Sequence, residues 1–293
     1  MSMFGRLLQG IGGFYYALGD DGRQYTLRAQ NKIRRVHLKP LVGDLIEFEP
    51  GTGEEDGWLK SILPRKNELV RPPVSNIDAL VITVSCHVPA ADLLLVDRML
   101  VSAKRKGIYT LLALNKCDLA NENALRLKAE YAYCGAQVFP VSALTGEGLD
   151  SLKTALRGKI HAFAGQSGVG KSSLINALYG TLLEVGDISR RIDRGKHTTR
   201  ACRLLPVNEG AVLDTPGFSL FESESCEPEA LAGFYKEFQP YADKCFFQPC
   251  CHDSEPHCAV KQALIEGSIP RGRYDRYIEL LNEQRERWMK RYD

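Results

Sequence analysis

The sequence predicts a multidomain protein: an N-terminal all-β barrel of the oligonucleotide/oligosaccharide-binding (OB) type, a central doubly wound α/β domain, and a C-terminal helical domain organised round a metal. Three observations carry this reading. Up to about residue 70 the chain is short apolar alternation cut by Gly, Asp and Asn turns, and from 71 to 223 apolar strands alternate with amphipathic helices. In residues 224–293, four cysteines and two histidines crowd into CFFQPCCHDSEPHC.

Composition sets limits on all three. A chain of 293 residues can bury an ample core, and a net charge of +2 gives no global basic field. The start, MSMFGRLLQGIGG, lacks the apolar stretch of a signal peptide, and no run of about 18 apolar residues is present. Five of the nine cysteines are scattered singly and the other four are clustered, which favours metal over disulfides. A cytoplasmic protein without a membrane span is expected.

In the barrel, GRLLQGIGGFYYAL, RQYTLRAQNKIRR, LVGDLIEFEPG and GWLKSILPRKN supply four or five strands. Arg23, Arg28, Lys32, Arg34, Arg35 and Lys39, interleaved with Tyr25 and His37, fit either a solvated basic face or RNA contact through charge and stacking. Arg71-Pro72-Pro73 then ends the module, since prolines stop strands and stiffen linkers.

The α/β domain runs through the strand IDALVITVSC, the helix ADLLLVDRMLVSAKRKG and the strand IYTLLALNK. A helix round ENALRLKAEYAYCG, the strand QVFPVSA, the helix GLDSLKTALRG and the strand KIHAFAG follow. The last strand opens into GQSGVGKSS, which matches the phosphate-loop pattern at Gly165, Gly170, Lys171 and Ser172 and leads into a helix. Backbone N–H groups of Gly165, Gln166, Ser167, Gly168, Val169, Gly170 and Ser173 then cradle phosphates. Lys171 reaches the β- and γ-phosphates, and the Ser172 hydroxyl holds Mg²⁺.

Asn115-Lys116-Cys117-Asp118 closes an earlier strand, and such a tetrad suits guanine. The Asp118 carboxylate accepts from the ring N1–H and the 2-amino group, which adenine cannot supply. Asn115 braces the loop and the Lys116 stem covers the base, while Ser142 and the Ala143 N–H follow at the next strand end. The nucleotide read from these loops is GTP or GDP. After the phosphate helix, Thr198 or Thr199 offers a hydroxyl to Mg²⁺, with Thr199 favoured. Asp214 reaches Mg²⁺ through water and the Gly217 N–H meets the γ-phosphate.

Two features set this domain apart. The guanine loops precede the phosphate loop, so the domain is a circularly permuted P-loop GTPase. Phe218 also stands where a Ras-like enzyme carries its water-orienting glutamine, so His197 is the candidate to orient water, against a solvated loop histidine. Farther on, EPEALAGFYKEFQPY reads as a helix and the chain after Cys258 as helical with a basic end. Cys245, Cys250, His252 and Cys258 have short spacing suited to one tetrahedral Zn²⁺ in a closed, structural site, with Cys251 and His257 as competing ligands.

On NKCD, VSALTG, GQSGVGKSS, RGKHTTR, DTPGF and C-x₄-C-x-H-x₅-C, essentially the whole chain resembles the RsgA (YjeQ/YloQ) family of circularly permuted GTPases that depend on the small ribosomal subunit. The resemblance implies GTP hydrolysis during late maturation of that subunit, binding to rRNA near the decoding region, slow intrinsic turnover and stimulation by the subunit. It also implies a catalytic role for His197, and zinc on Cys245, Cys250, His252 and Cys258. A monomer is expected. Gly168 stands where some related GTPases place a potassium-binding Asn, so no potassium requirement follows.

Overall fold

The computed structural model describes residues 2–29, 39–52, 55–70, 72–180, 202–207, 210–214 and 226–290. The chain packs as two compact units. One comprises Met1–Ala79, Thr154–Phe163 and Glu184–Leu220, the other Leu80–Lys153, Ala164–Leu183 and Phe221–Asp293. Among the described residues no helix is long and apolar enough to cross a membrane.

The first unit holds the barrel. Its strands are β1 (Met3–Ile11), β2 (Phe14–Gly19), β3 (Gln24–Ala29), β4 (Leu45–Glu49) and β5 (Gly57–Ile62). β1 pairs antiparallel with β2, β2 with β3, β3 parallel with β5, and β5 antiparallel with β4. β4 returns to β1 and closes the ring, which leaves no free edge among these five strands. Period-two alternation sends Leu7, Ala17, Leu27, Ile46, Phe48 and Leu59 inward as a dry core. Tyr25 packs its ring 5.0 Å from Phe48 and donates its hydroxyl to Asp21. Half-buried in this way, Tyr25 does not present a free stacking face. Lys32, Arg34, Arg35 and His37 lie outside the described residues.

The connection out of the barrel is held by Asp44, which is fully buried. It accepts from Arg65 Nε at 2.7 Å and from the Ser75 hydroxyl at 2.6 Å. The short strands β6 (Glu68–Leu69) and β7 (Val74–Ser75) follow. In the same unit β11 (Ile160–Ala164) runs parallel to β13 (Gly210–Asp214), and β12 (Arg203–Val207) pairs antiparallel with β13 and with β1.

The second unit contains β8 (Ala79–Ser85) from Leu80 onward, α1 (Leu93–Arg105), β9 (Tyr109–Asn115), α2 (Asn121–Glu130), β10 (Gln137–Pro140), α3 (Leu149–Leu156) as far as Lys153, and α4 (Lys171–Tyr179). β9 and β10 are parallel. β8 is buried at every position and β9 at all but Tyr109, as strands covered on both faces must be. Asp92 caps α1 by accepting from Leu95 N at 2.9 Å.

The C-terminal part of this unit departs from the expected single helix over 227–241. Two 3₁₀ segments, Pro228–Phe234 and Lys236–Phe238, precede the one-turn α5 (Gln239–Ala242). Gly233 and Pro240 interrupt the α-helical ladder, and the tight turns place Tyr235 and Phe238 on one side three residues apart. Both rings are fully buried and lie 5.0 and 4.9 Å from Tyr277. The tail is two helices, α6 (Ala259–Ile265) and α7 (Arg271–Met289), separated at Gly267 and Pro270.

The basic residues of α7 are largely committed. Arg273 and Asp97 are 2% and 0% exposed and form an ion pair. Arg273 also donates to Glu237 at 2.7 Å, and its guanidinium carbon lies 4.7 Å from the centre of the Tyr235 ring. Arg276 donates to Asp97 at 2.7 Å and to Glu130 at 2.8 Å, and Tyr131 adds its hydroxyl to Asp97. Arg98 of α1 grips Glu283 through both guanidinium nitrogens, and Arg271 and Arg285 pair with Asp275 and Asp253.

Candidate nucleotide site and metal centre

The nucleotide site starts from a strand end that a single side chain must brace. Asn115 closes β9 and is 2% exposed. Its Nδ2 donates to Val169 O of the phosphate loop at 2.9 Å, and its Oδ1 accepts from Ala143 N at 3.1 Å. The bond to Val169 is buried, so losing it would leave an unpaired polar group at a cost of about 1–3 kcal/mol. Three loops far apart in sequence are thereby held at one point. Ser142 is fully buried, and its hydroxyl accepts from Leu144 N and Thr145 N at 3.3 and 3.1 Å.

Lys116 occupies the left-handed region at φ +64°, and its ammonium donates to Gly168 O at 3.0 Å and to Val88 O. That stretches the stem along the phosphate loop and leaves Asp118 exposed beyond it. The neighbouring Cys117 is buried, with its thiol pushed up chiefly by burial.

Two glycines are required by space. A Cβ on Gly165 (φ +140°) would sit 2.3 Å from Thr83 O, and one on Gly170 (φ +93°) 2.4 Å from Asn115 Nδ2. The Lys171 ammonium donates to Gly165 O and Gln166 O, both at 2.7 Å, so the loop folds round it. Burial pulls this lysine down to about 8. Gln166 accepts from Asp92 N at 3.3 Å, Val169 is buried, Ser167 and Gly168 are exposed, and Ser172 and Ser173 are partly exposed at the start of α4. Asp214 ends β13 in the other unit. His197, Thr198, Thr199, Gly217 and Phe218 lie outside the described residues.

The loop between β8 and α1 carries contacts that sequence reasoning missed. Val88 O and Asp92 N bind Lys116 and Gln166, and the Pro89 ring lies about 3.5 Å from a Cβ built on Gly168. Pro89 follows a cis peptide bond, and no short motif marks such a loop.

The second centre is a closed set of soft donors. Ligand atoms of Cys245, Cys250, His252 and Cys258 all lie within 4.8 Å of one another, and all four residues are buried. The Cys245 and Cys258 sulfurs are 3.8 Å apart and stand 3.5 and 3.4 Å from His252 Nδ1. A zinc tetrahedron with bonds of about 2.1–2.3 Å has edges near 3.6–3.8 Å, so the donor set fits one ion. Cys251 is half-buried beside the cluster, where its carbonyl accepts from the Tyr277 hydroxyl at 2.5 Å and its N–H donates to Glu255. The Tyr274 hydroxyl holds His252 O at 2.7 Å. Burial pushes the Cys250 thiol up to about 12, so the thiol needs a cation beside it to ionise near neutral pH.

Comparison with known proteins bears on both centres. A family model described as RsgA GTPase matches residues 62–224, and one described as RsgA N-terminal domain matches 4–59. A Geobacillus kaustophilus protein named small ribosomal subunit biogenesis GTPase RsgA is 42% identical over 288 residues, covering 97% of this chain and 98% of that protein. A protein of the same name from Caldanaerobacter subterraneus subsp. tengcongensis is 42% identical over 291 residues, covering 98% of each. Among solved structures, YjeQ from Thermotoga maritima superposes with a TM-score of 0.85 at 33% identity, covering 97% of this chain and 99% of that one. YloQ, described as a circularly permuted GTPase, gives 0.82 at 31% identity, covering 98% and 96%. With its guanine loops ahead of its phosphate loop and one asparagine joining them, the chain belongs to the RsgA family and is a circularly permuted GTPase.

Proposed function

We propose that this GTPase acts in maturation of the small ribosomal subunit, binding its rRNA in the GTP form and leaving after hydrolysis. The observation that carries the nucleotide part is the Asn115 brace, which ties the Ala143 loop and the phosphate loop to one side chain. The relatives' names, at near-complete coverage of both chains, support the subunit.

At the site, Asp118 selects guanine, and the Ala143 N–H exchanges its Asn115 Oδ1 partner for the guanine O6. Lys171 exchanges its carbonyl partners for the β- and γ-phosphate oxygens. Ser172 and Thr199, with Asp214 through water, hold the magnesium ion, which neutralises charge on the phosphates. The Gly217 N–H contacts the γ-phosphate, and His197 accepts from the attacking water in place of the missing glutamine. Cys245, Cys250, His252 and Cys258 hold one structural zinc ion that fixes the loop between α5 and α6. The protein works in the cytoplasm, where its partner particle resides, and acts as a monomer.

Steady-state GTP turnover with and without purified small subunits, with large subunits as control, tests the reading. Small subunits alone are expected to raise turnover strongly. The His197→Ala protein is expected to bind subunits normally while stimulated turnover falls by about 100-fold or more. A flat response from zinc-loaded protein removes subunit-dependent catalysis.

A further inference from the structure

One buried hydroxyl organises the turn that leaves β8 for α1. β8 ends at Ser85, which has no exposure, whereas the side chains of His87 and Val88 just beyond it face solvent, Val88 at 64% exposure. Side chains so exposed give the turn little packing to hold its backbone, so hydrogen bonds must do it. Ser85 Oγ donates to Val88 O at 3.1 Å and accepts from His87 N at 3.3 Å, which closes the turn on one side chain. Val88 O also accepts from the Lys116 ammonium, which in addition donates to Gly168 O of the phosphate loop at 3.0 Å. A line of contacts therefore runs from the end of β8, through one carbonyl and one lysine, to the phosphate loop.

We infer that Ser85 is a positioning residue for guanine nucleotides: it fixes Val88 O where that carbonyl, with Gly168 O, pins the Lys116 ammonium and so lays the lysine stem across the base. The inference rests on the reading that the Lys116 stem covers guanine. A lysine stem has four carbons and many rotamers, and ordering it only when the base arrives would cost affinity. Gly168 O alone would hold the ammonium at one point and leave the stem free to swing. Two carbonyls from separate loops set it in advance. Removing the Ser85 hydroxyl strands no polar group, because Val88 O keeps its lysine and His87 N lies in an exposed turn where water reaches it. What is lost is the order of the turn, and the loss reaches the nucleotide only through Lys116. A hydroxyl that merely finished the strand would matter equally with or without that lysine.

The test is the release rate of a fluorescent GDP analogue from the full-length protein, measured for wild type, Ser85→Ala, Lys116→Ala and the double variant, with thermal melting to check that each is folded. Ser85→Ala should release the analogue about fivefold faster than wild type, and Lys116→Ala about tenfold faster or more. The double variant should release it no faster than Lys116→Ala. Ser85→Cys, which keeps the shape but donates weakly, should fall between wild type and Ser85→Ala, and it carries the comparison if the alanine variant does not fold. Additive effects in the double variant overturn the inference, because Ser85 then acts on the strand end and not on the lysine. Release at the wild-type rate from both Ser85 variants overturns it too. Lys116→Ala alone separates the underlying reading. If that protein holds the analogue as wild type does, the stem does not cover the base and both ideas fall. Fast release from Lys116→Ala beside normal release from Ser85→Ala removes only the role of Ser85.

Discussion

Lys171 shows how one buried charge prepares the site. It is a partly buried ammonium whose partners are two carbonyl dipoles at 2.7 Å, and desolvation lowers it to about 8. A phosphate brought to the loop favours the protonated form, so nucleotide binding raises this pKa. GDP affinity should therefore be flat below about pH 8, where the lysine is protonated before and after binding. It should then weaken by up to about tenfold per unit as pH rises further. Titrating a fluorescent GDP analogue between pH 6.5 and 9 checks this, and Lys171→Arg should lose the slope because a guanidinium stays charged. Most contacts at this scale follow from motifs: Gly165, Gly170, Lys171 and Asn115 stand where phosphate and guanine chemistry require them. The Val88–Pro89 contribution could not be read, because carbonyl contacts from a loop carry no residue-type signature.

Among the elements, the zinc loop shows what spacing alone leaves open. Cys250 and Cys251 are adjacent, and either fits a short ligand spacing. The backbone decides between them: His252 at φ +58° turns the chain so that Cys250 joins the cluster, while the Tyr274 and Tyr277 hydroxyls hold the carbonyls of His252 and Cys251. Metal analysis of purified variants should find about one zinc per chain in Cys251→Ser and a large loss in Cys250→Ser. The strands of the α/β region were legible as short continuous apolar runs, and its helices by their 3.6-residue period over eight to thirteen residues. The 228–242 region was not, because Gly233 and Pro240 exchange an α-helix for tight turns that only the packing of Tyr235 and Phe238 on Tyr277 rewards.

The whole molecule is less separable than its three sequence domains imply. Composition and motif shifts divide the chain near 70 and 224, yet Asp97 of α1 and Arg273 of α7 form a buried ion pair within one compact unit. The basic residues that the sequence shows after Cys258 are partly spent on that internal network, since Arg273 and Arg276 are committed to Asp97. Burial pushes the Asp97 carboxyl up, with the charges of Arg273 and Arg276 opposing. Replacing it with Ala removes the anion shared by two guanidiniums and leaves each only its second carboxylate, Glu237 or Glu130, so Asp97→Ala should destabilise this unit by about 3 kcal/mol. Chemical denaturation followed by circular dichroism measures the loss.

The same ion pair bears on inheritance. Helical metal-binding modules can be gained or dropped as cassettes when their borders are ordinary surface. Here the seam is apolar as well as charged: excising residues 226–290 would hand the Asp97 carboxylate to water, which solvates it, but would also bare Leu94 and Val101 of α1, which pack on the C-terminal core. A lineage shedding this appendage must first rewrite that apolar face, and a nucleotide-binding core transplanted without it should fail in expression before it fails in catalysis.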